Sequence, residues 1–134
     1  MSSFRHTPGL AALALTLACN SGSAPAAAPA APGAPAAPTV ATLAAEKDVL
    51  YLDVRSPAEF SAGHVEGAVN VPVGDTAKMA ELIGRKDRPV IVHCAVGGRA
   101  GQATAALKAQ GFTRLVNGGG YKDVAATTGK AVVQ

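Results

Sequence analysis

Cys94 and Arg99 lie in the stretch His93–Gln102, HCAVGGRAGQ, with Ala95, Val96, Gly97 and Gly98 between them. A cysteine, two glycines and an arginine in one short loop can make a nucleophile surrounded by an anion-binding ring. The loop follows the apolar run Pro89–His93, PVIVH, and leads into an alanine-rich helical pattern. In a strand-to-helix turn the backbone N–H groups converge on a common concavity, and the following helix adds the positive end of its dipole. Gly97 and Gly98 permit the backbone angles such a turn needs. A thiolate is stabilised there, so the Cys94 thiol is expected to ionise below its free value of about 8.5. The alternative is a small buried cysteine in a turn; the glycines and Arg99 favour a reactive one. The target would be phosphorus or sulfur. The loop is one residue shorter than the tyrosine-phosphatase loop that wraps a phosphate, which favours a smaller species such as a sulfur atom carried on the cysteine.

The elements that must hold this loop alternate. Val49–Leu52 is a short apolar run ending at Asp53, as in a buried strand. Ser56, Pro57 and Glu59 form a capping-box pattern that opens a short helix to about Ala62, stopped at Gly63. Ala68–Val71 is a second strand, ended by Pro72. Asp75 offers an N-cap for a helix through TAKMAELI, with Met79 and Leu82 on its core face and Gly84 past its end. Pro89–His93 is a β-branched run suited to burial on both faces of a parallel sheet. A helix is expected from about Arg99 to Gln110, terminated by Gly111, then a strand at Leu115–Val116 and a short helix after NGGGY. Strands alternating with helices imply a parallel α/β sheet, and chemistry in such a sheet sits at the carboxyl ends of strands, where Cys94 is.

Three segments together resemble the rhodanese family of sulfurtransferases. YLDVRSPAEFSAGHVEGAVNVPV, from Tyr51 to Val73, is similar to the family's Asp-Val-Arg, Glu-Phe and Gly-His…Gly-Ala-Asn-x-Pro signature; VHCAVGGRA is similar to its active loop, and LVNGGGYKDV to its terminal Gly-Gly segment. They stand in family order and spacing and cover nearly the whole of residues 39–134. The resemblance is strongest to periplasmic single-domain rhodaneses of the phage-shock-protein E type. It implies a small α/β domain with a central, mainly parallel sheet flanked by helices on both faces. It also implies a two-step exchange: Cys94 takes a sulfane sulfur from a small anionic donor such as thiosulfate, and cyanide or a thiol removes it from the resulting persulfide. No metal or organic cofactor is required. Backbone groups of Ala95, Val96, Gly97, Gly98 and Arg99 would hold the transferred sulfur, with Arg99 steadying the loop and attracting the donor. Asp53 and Arg55 would brace neighbouring loops, and Arg55 could also pair with Glu59 four residues on. His64 is expected to be a hydrogen-bonded structural histidine, and His93 to point away from Cys94 by strand alternation. The chain departs from many relatives in having Ala95 and Ala100 where polar or cationic residues flank the loop, and Val124 where tryptophan is common.

The beginning of the chain reads differently. Residues 1–18 place Arg5 before an apolar run from Gly9 to Ala18, the pattern of a secretory signal peptide. LTLAC resembles the lipobox cleaved before a lipid-modified cysteine, which makes Cys19 a candidate membrane anchor and the protein a periplasmic lipoprotein. Residues 20–38 alternate proline with alanine, glycine and serine and carry no charge, as a disordered linker would. The formal net charge of +3 comes from 12 scattered basic residues against 9 acidic ones, which gives nucleic-acid binding no support. With Cys19 lipidated, Cys94 would be alone in the domain and could form no internal disulfide. Two alternatives remain: a rhodanese-fold module that binds or carries sulfur without turnover, and a phosphatase or arsenate reductase. The second is disfavoured by loop length and by the absence of a resolving cysteine within residues 39–134.

Overall fold

A computed structural model describes residues 37–134; the expected signal segment, Cys19 and all but the last two residues of the expected linker lie outside them. The elements run α1 (Val40–Ala44), β1 (Leu50–Asp53), α2 (Pro57–Ser61), β2 (His64–Val65), β3 (Val69–Asn70), α3 (Thr76–Ile83), β4 (Val90–Cys94), α4 (Gly98–Ala109), β5 (Leu115–Gly120), α5 (Tyr121–Thr128) and β6 (Val132–Val133). Four strands form a parallel sheet in the order β3-β1-β4-β5. Separately, β2 and β6 pair antiparallel, with His64 opposite Val133.

Strands β1 and β4 are buried along their whole length, so LYLD and VIVHC read as continuous apolar runs instead of alternating ones. Alternation nevertheless divides their side chains between two cores. Leu50, Leu52, Val90, Val92 and Cys94 pack with Met79 and Ile83 of α3 and Ala100, Ala103 and Leu107 of α4. Tyr51 and Ile91 face the other way, toward Leu43 of α1 and Val124 and Ala125 of α5. Helices therefore cover both faces of the parallel sheet, as expected.

Local signals explain most boundaries. Ser56 and Glu59 make the reciprocal capping box at the start of α2, with Pro57 in its first turn. Asp75 caps α3, and Gly84 ends it at φ +72°. Gly111, at φ +96°, follows the last turn of α4. Four features differ from expectation. The core face of α3 is Met79 with Ile83, while Leu82 is only partly buried. Strand β3 is confined to Val69–Asn70. Strand β5 runs on from Val116 to Gly120, because its glycines continue to pair with β4 across a register shift between Val92 and Cys94. Three short elements, α1, β2 and β6, have no counterpart in the sequence reading; α1 opens on its own box between Thr39 and Thr42.

Candidate active site

Cys94 closes β4, and the chain turns through Ala95 and Val96 to Gly97, whose φ of +99° directs it straight into α4 at Gly98. No side chain caps that helix, so its first N–H groups are free to serve something else. They converge on sulfur. Gly97 N–H donates to Cys94 Sγ at 3.0 Å, and the N–H groups of Ala100, Val96 and Arg99 act on the same atom. Burial pushes the Cys94 thiol up, but the backbone N–H groups around it outweigh that and hold the thiol below its ordinary range. The residue is 1% exposed, so its sulfur lies at the foot of a cradle built from backbone. Around it, Ala95 and Gly98 are exposed, Gly97 is buried and Val96 stands 88% exposed on the rim.

A second segment forms the support of this cradle. Asn117 Nδ2 donates to Gly97 O at 3.0 Å while its Oδ1 accepts from Gly119 N–H at 2.9 Å. The glycines beyond it are there for proximity: a Cβ on Gly120 would fall 2.8 Å from Ala95 O, and one on Gly97 would fall 3.1 Å from Gly119 Cα. Asp123 at the start of α5 accepts from Gly120 N–H at 3.2 Å. In the sequence NGGGYKD stands as a family segment in which Asn117 has no assigned task. An asparagine heading a glycine run was the available signal, since it is the one side chain there able to hydrogen-bond a neighbouring loop.

The charged residues are distributed differently from expectation. Arg55 does not pair with Glu59; it turns back to the fully buried Asp53, with Nη2 2.7 Å from Oδ2, and donates to Gly63 O at 2.6 Å. Arg55 precedes the first turn of α2, so the helical i,i+4 geometry that would bring it to Glu59 does not exist there. Its guanidinium also lies 4.0 Å from the centroid of the Tyr121 ring. Asn70 Nδ2 bonds the carbonyls of Asp53 and Arg55 at 3.0 and 2.9 Å. The two residues thereby join the end of β1 to β3 and to the loop after α2.

Glu59 instead takes Arg99. The contact is bidentate, with Nη1 2.7 Å from Oε2 and Nη2 2.8 Å from Oε1. The partner guanidinium and the Ser56 contacts hold the Glu59 carboxyl well below the usual carboxylate range. Glu59 raises the Arg99 pKa against the opposing effect of burial, and Cys94 adds to the rise.

Neither histidine faces the thiol. His64 Nδ1 is 2.9 Å from Phe60 O and its ring stacks on Phe60 at 3.8 Å. His93 lies in register with Asp53 and is fully buried, with Nε2 3.6 Å from Asp53 Oδ2 and neither ring nitrogen within hydrogen-bonding reach of a partner. Burial lowers its pKa despite the nearby carboxylate. Among the described residues, no cluster of three or more His, Cys, Asp or Glu side chains could hold a metal ion, and no helix is long and apolar enough to cross a membrane.

Known proteins can be set beside this geometry. Residues 36–127 match the family described as "Rhodanese-like domain". The chain is 37% identical over 76 residues to thiosulfate sulfurtransferase PspE of Escherichia coli (strain K12), covering 56% of this chain and 73% of that protein. It is 40% identical over 76 residues to a sulfurtransferase of Allochromatium vinosum, covering 56% and 69% respectively. A solved structure described as a rhodanese with anions from E. coli aligns with a TM-score of 0.59 at 33% identity, over 64% of this chain and 98% of that one.

Proposed function

The chain belongs to the rhodanese-like domain family, and from that premise we propose that it is a sulfurtransferase working through a persulfide on Cys94. The observation that carries the reading is the ring of backbone N–H groups aimed at Cys94 Sγ at the carboxyl end of β4. The thiolate attacks the outer sulfur of thiosulfate; a bond forms between Sγ and that sulfur, and sulfite leaves with the electron pair of the broken S–S bond. Cys94 then carries a persulfide anion, which the same N–H groups stabilise. Cyanide or a thiolate attacks the outer sulfur and returns Cys94 as thiolate. Ala95, Val96, Gly97, Gly98 and Arg99 form the binding loop, while Asp53 and Arg55 hold the neighbouring turn. No metal or organic cofactor enters the exchange.

Incubation of the purified protein with thiosulfate, followed by intact mass measurement, tests this. A gain of one sulfur atom that cyanide removes and that Cys94→Ser lacks is the expected result; no gain from any sulfane donor counts against transfer. A second reading, a sulfur-carrying module with little turnover on thiosulfate, draws on the engagement of Arg99 with Glu59. A phosphatase would instead hydrolyse p-nitrophenyl phosphate, which this loop is too short to wrap.

For the segment outside the described residues the proposal is a cleaved signal peptide, a lipid on Cys19 and a linker over residues 20–38, holding the 39–134 domain away from a membrane in the periplasm. A clickable palmitate should label the protein in cells, and a Cys19→Ser protein that still takes up label would refute the anchor.

A further inference from the structure

Arg99 is the one charged side chain in the loop from Cys94 to Arg99, and both terminal nitrogens of its guanidinium donate to Glu59. Glu59 is not a swinging surface carboxylate. Its Oε2 also accepts from the N–H and hydroxyl of Ser56 at 3.0 and 2.9 Å, so the capping box of α2 fixes it opposite the loop. Both partners are partly exposed, Arg99 at 35% and Glu59 at 39%, so an arriving donor meets the pair. Beside it the rim is apolar, with Ala95 and Val96 turned to solvent.

From this arrangement we infer that Glu59 is a specificity-determining residue: by holding Arg99 in a neutral pair it cancels the loop's attraction for dianionic donors and turns the site toward low-charge hydropersulfides, R–S–SH. The inference rests on the sulfur-transfer reading. With such a donor the Cys94 thiolate bonds to the outer sulfur, the donor's S–S bond breaks, and R–S⁻ leaves with the electron pair. The proton stays on the transferred sulfur, giving Cys94–S–SH with no net oxidation.

Alkylation of Cys94 by iodoacetate and by iodoacetamide separates charge from reactivity. Both reagents need the thiolate, so a change in its pKa cancels in the ratio of their rates. Glu59→Gln keeps an amide oxygen for Ser56 and removes the charge. In low salt it should raise the iodoacetate-to-iodoacetamide ratio roughly threefold, the effect of one charge about 6 Å away in water. The rate of sulfur loading from thiosulfate, relative to a small alkyl hydropersulfide, should rise about tenfold, because a dianion feels twice the energy. Both gains should shrink as salt is raised. Arg99→Gln should move the alkylation ratio the opposite way, and the double variant should return it toward wild type; this arm decides the matter if Glu59→Gln fails to fold. Normal loading with an unshifted ratio overturns the role of Glu59 alone. A shifted ratio with no sulfur loaded from either donor overturns the donor assignment together with the transfer reading.

Discussion

The N–H groups that lower the Cys94 pKa belong to the backbone and survive every substitution but proline, so their effect is tested through the side chain that aligns them. Asn117→Ala deletes the bonds to Gly97 O and Gly119 N–H. Stability should fall by about 1–2 kcal/mol, and the pH midpoint of Cys94 alkylation should move upward as Gly97 N–H loses its aim. His93 makes a separate prediction. Its pKa is lowered by burial, so the folded state favours the neutral ring. That contribution is present above the unfolded pKa of about 6.5 and is lost as pH falls through and below it. Urea midpoints measured from pH 8 down to pH 5 should decline, and His93→Leu should flatten that decline; an unchanged slope would exonerate His93. At this scale the place of Cys94 at a strand end, the loop after it and the orientation of both histidines were legible, because they depend on local type and strand alternation. The partners of Arg55 and Glu59 were not: Glu59 and Arg99 are forty positions apart, and only the fold brings them together.

Elements with their signals inside them were readable. The box at Ser56–Glu59, the apolar run of β4 and the glycine after α4 each lie within a few residues of what they control. By contrast β2 and β6 are two residues each and exist only because they pair with one another across the chain. The far half of β5 was hidden by its glycines, which are poor strand formers and are used here for close approach. Gly118 makes that concrete. A Cβ there would meet Val124 Cγ2 at 2.5 Å and Ile91 Cγ2 at 3.1 Å, so Gly118→Ala should destabilise the protein by about 1–3 kcal/mol. Val124→Ala added to it should recover part of the loss, read as a positive coupling in thermal or urea unfolding. Equal losses with and without the second substitution would mean the strain is released elsewhere. Val124 is thus fitted to its glycine.

At the scale of the whole domain, the Asp53–Arg55 pair joins β1 to the α2–β2 turn, to Asn70 of β3 and to the Tyr121 ring of α5. Removing one partner strands a buried charge, so Arg55→Ala should cost about 3–5 kcal/mol, more than most core truncations, and should weaken sulfur loading only to the extent that the protein unfolds. Loading measured per folded molecule separates the two. The parallel sheet and the position of the loop at its carboxyl end followed from strand–helix alternation, and the two helical layers from the family resemblance; the join did not, because it is made of residues that sequence patterns treat separately. One further consequence comes from the depth of Cys94, at 1% exposure. A disulfide requires Cβ atoms about 3.8 Å apart, so a mixed disulfide at this buried sulfur requires the partner's thiol to enter the loop. On the sulfur-transfer reading, the empty domain keeps its thiol covered, and the loaded one carries its transferred sulfur one S–S bond, about 2 Å, beyond Sγ.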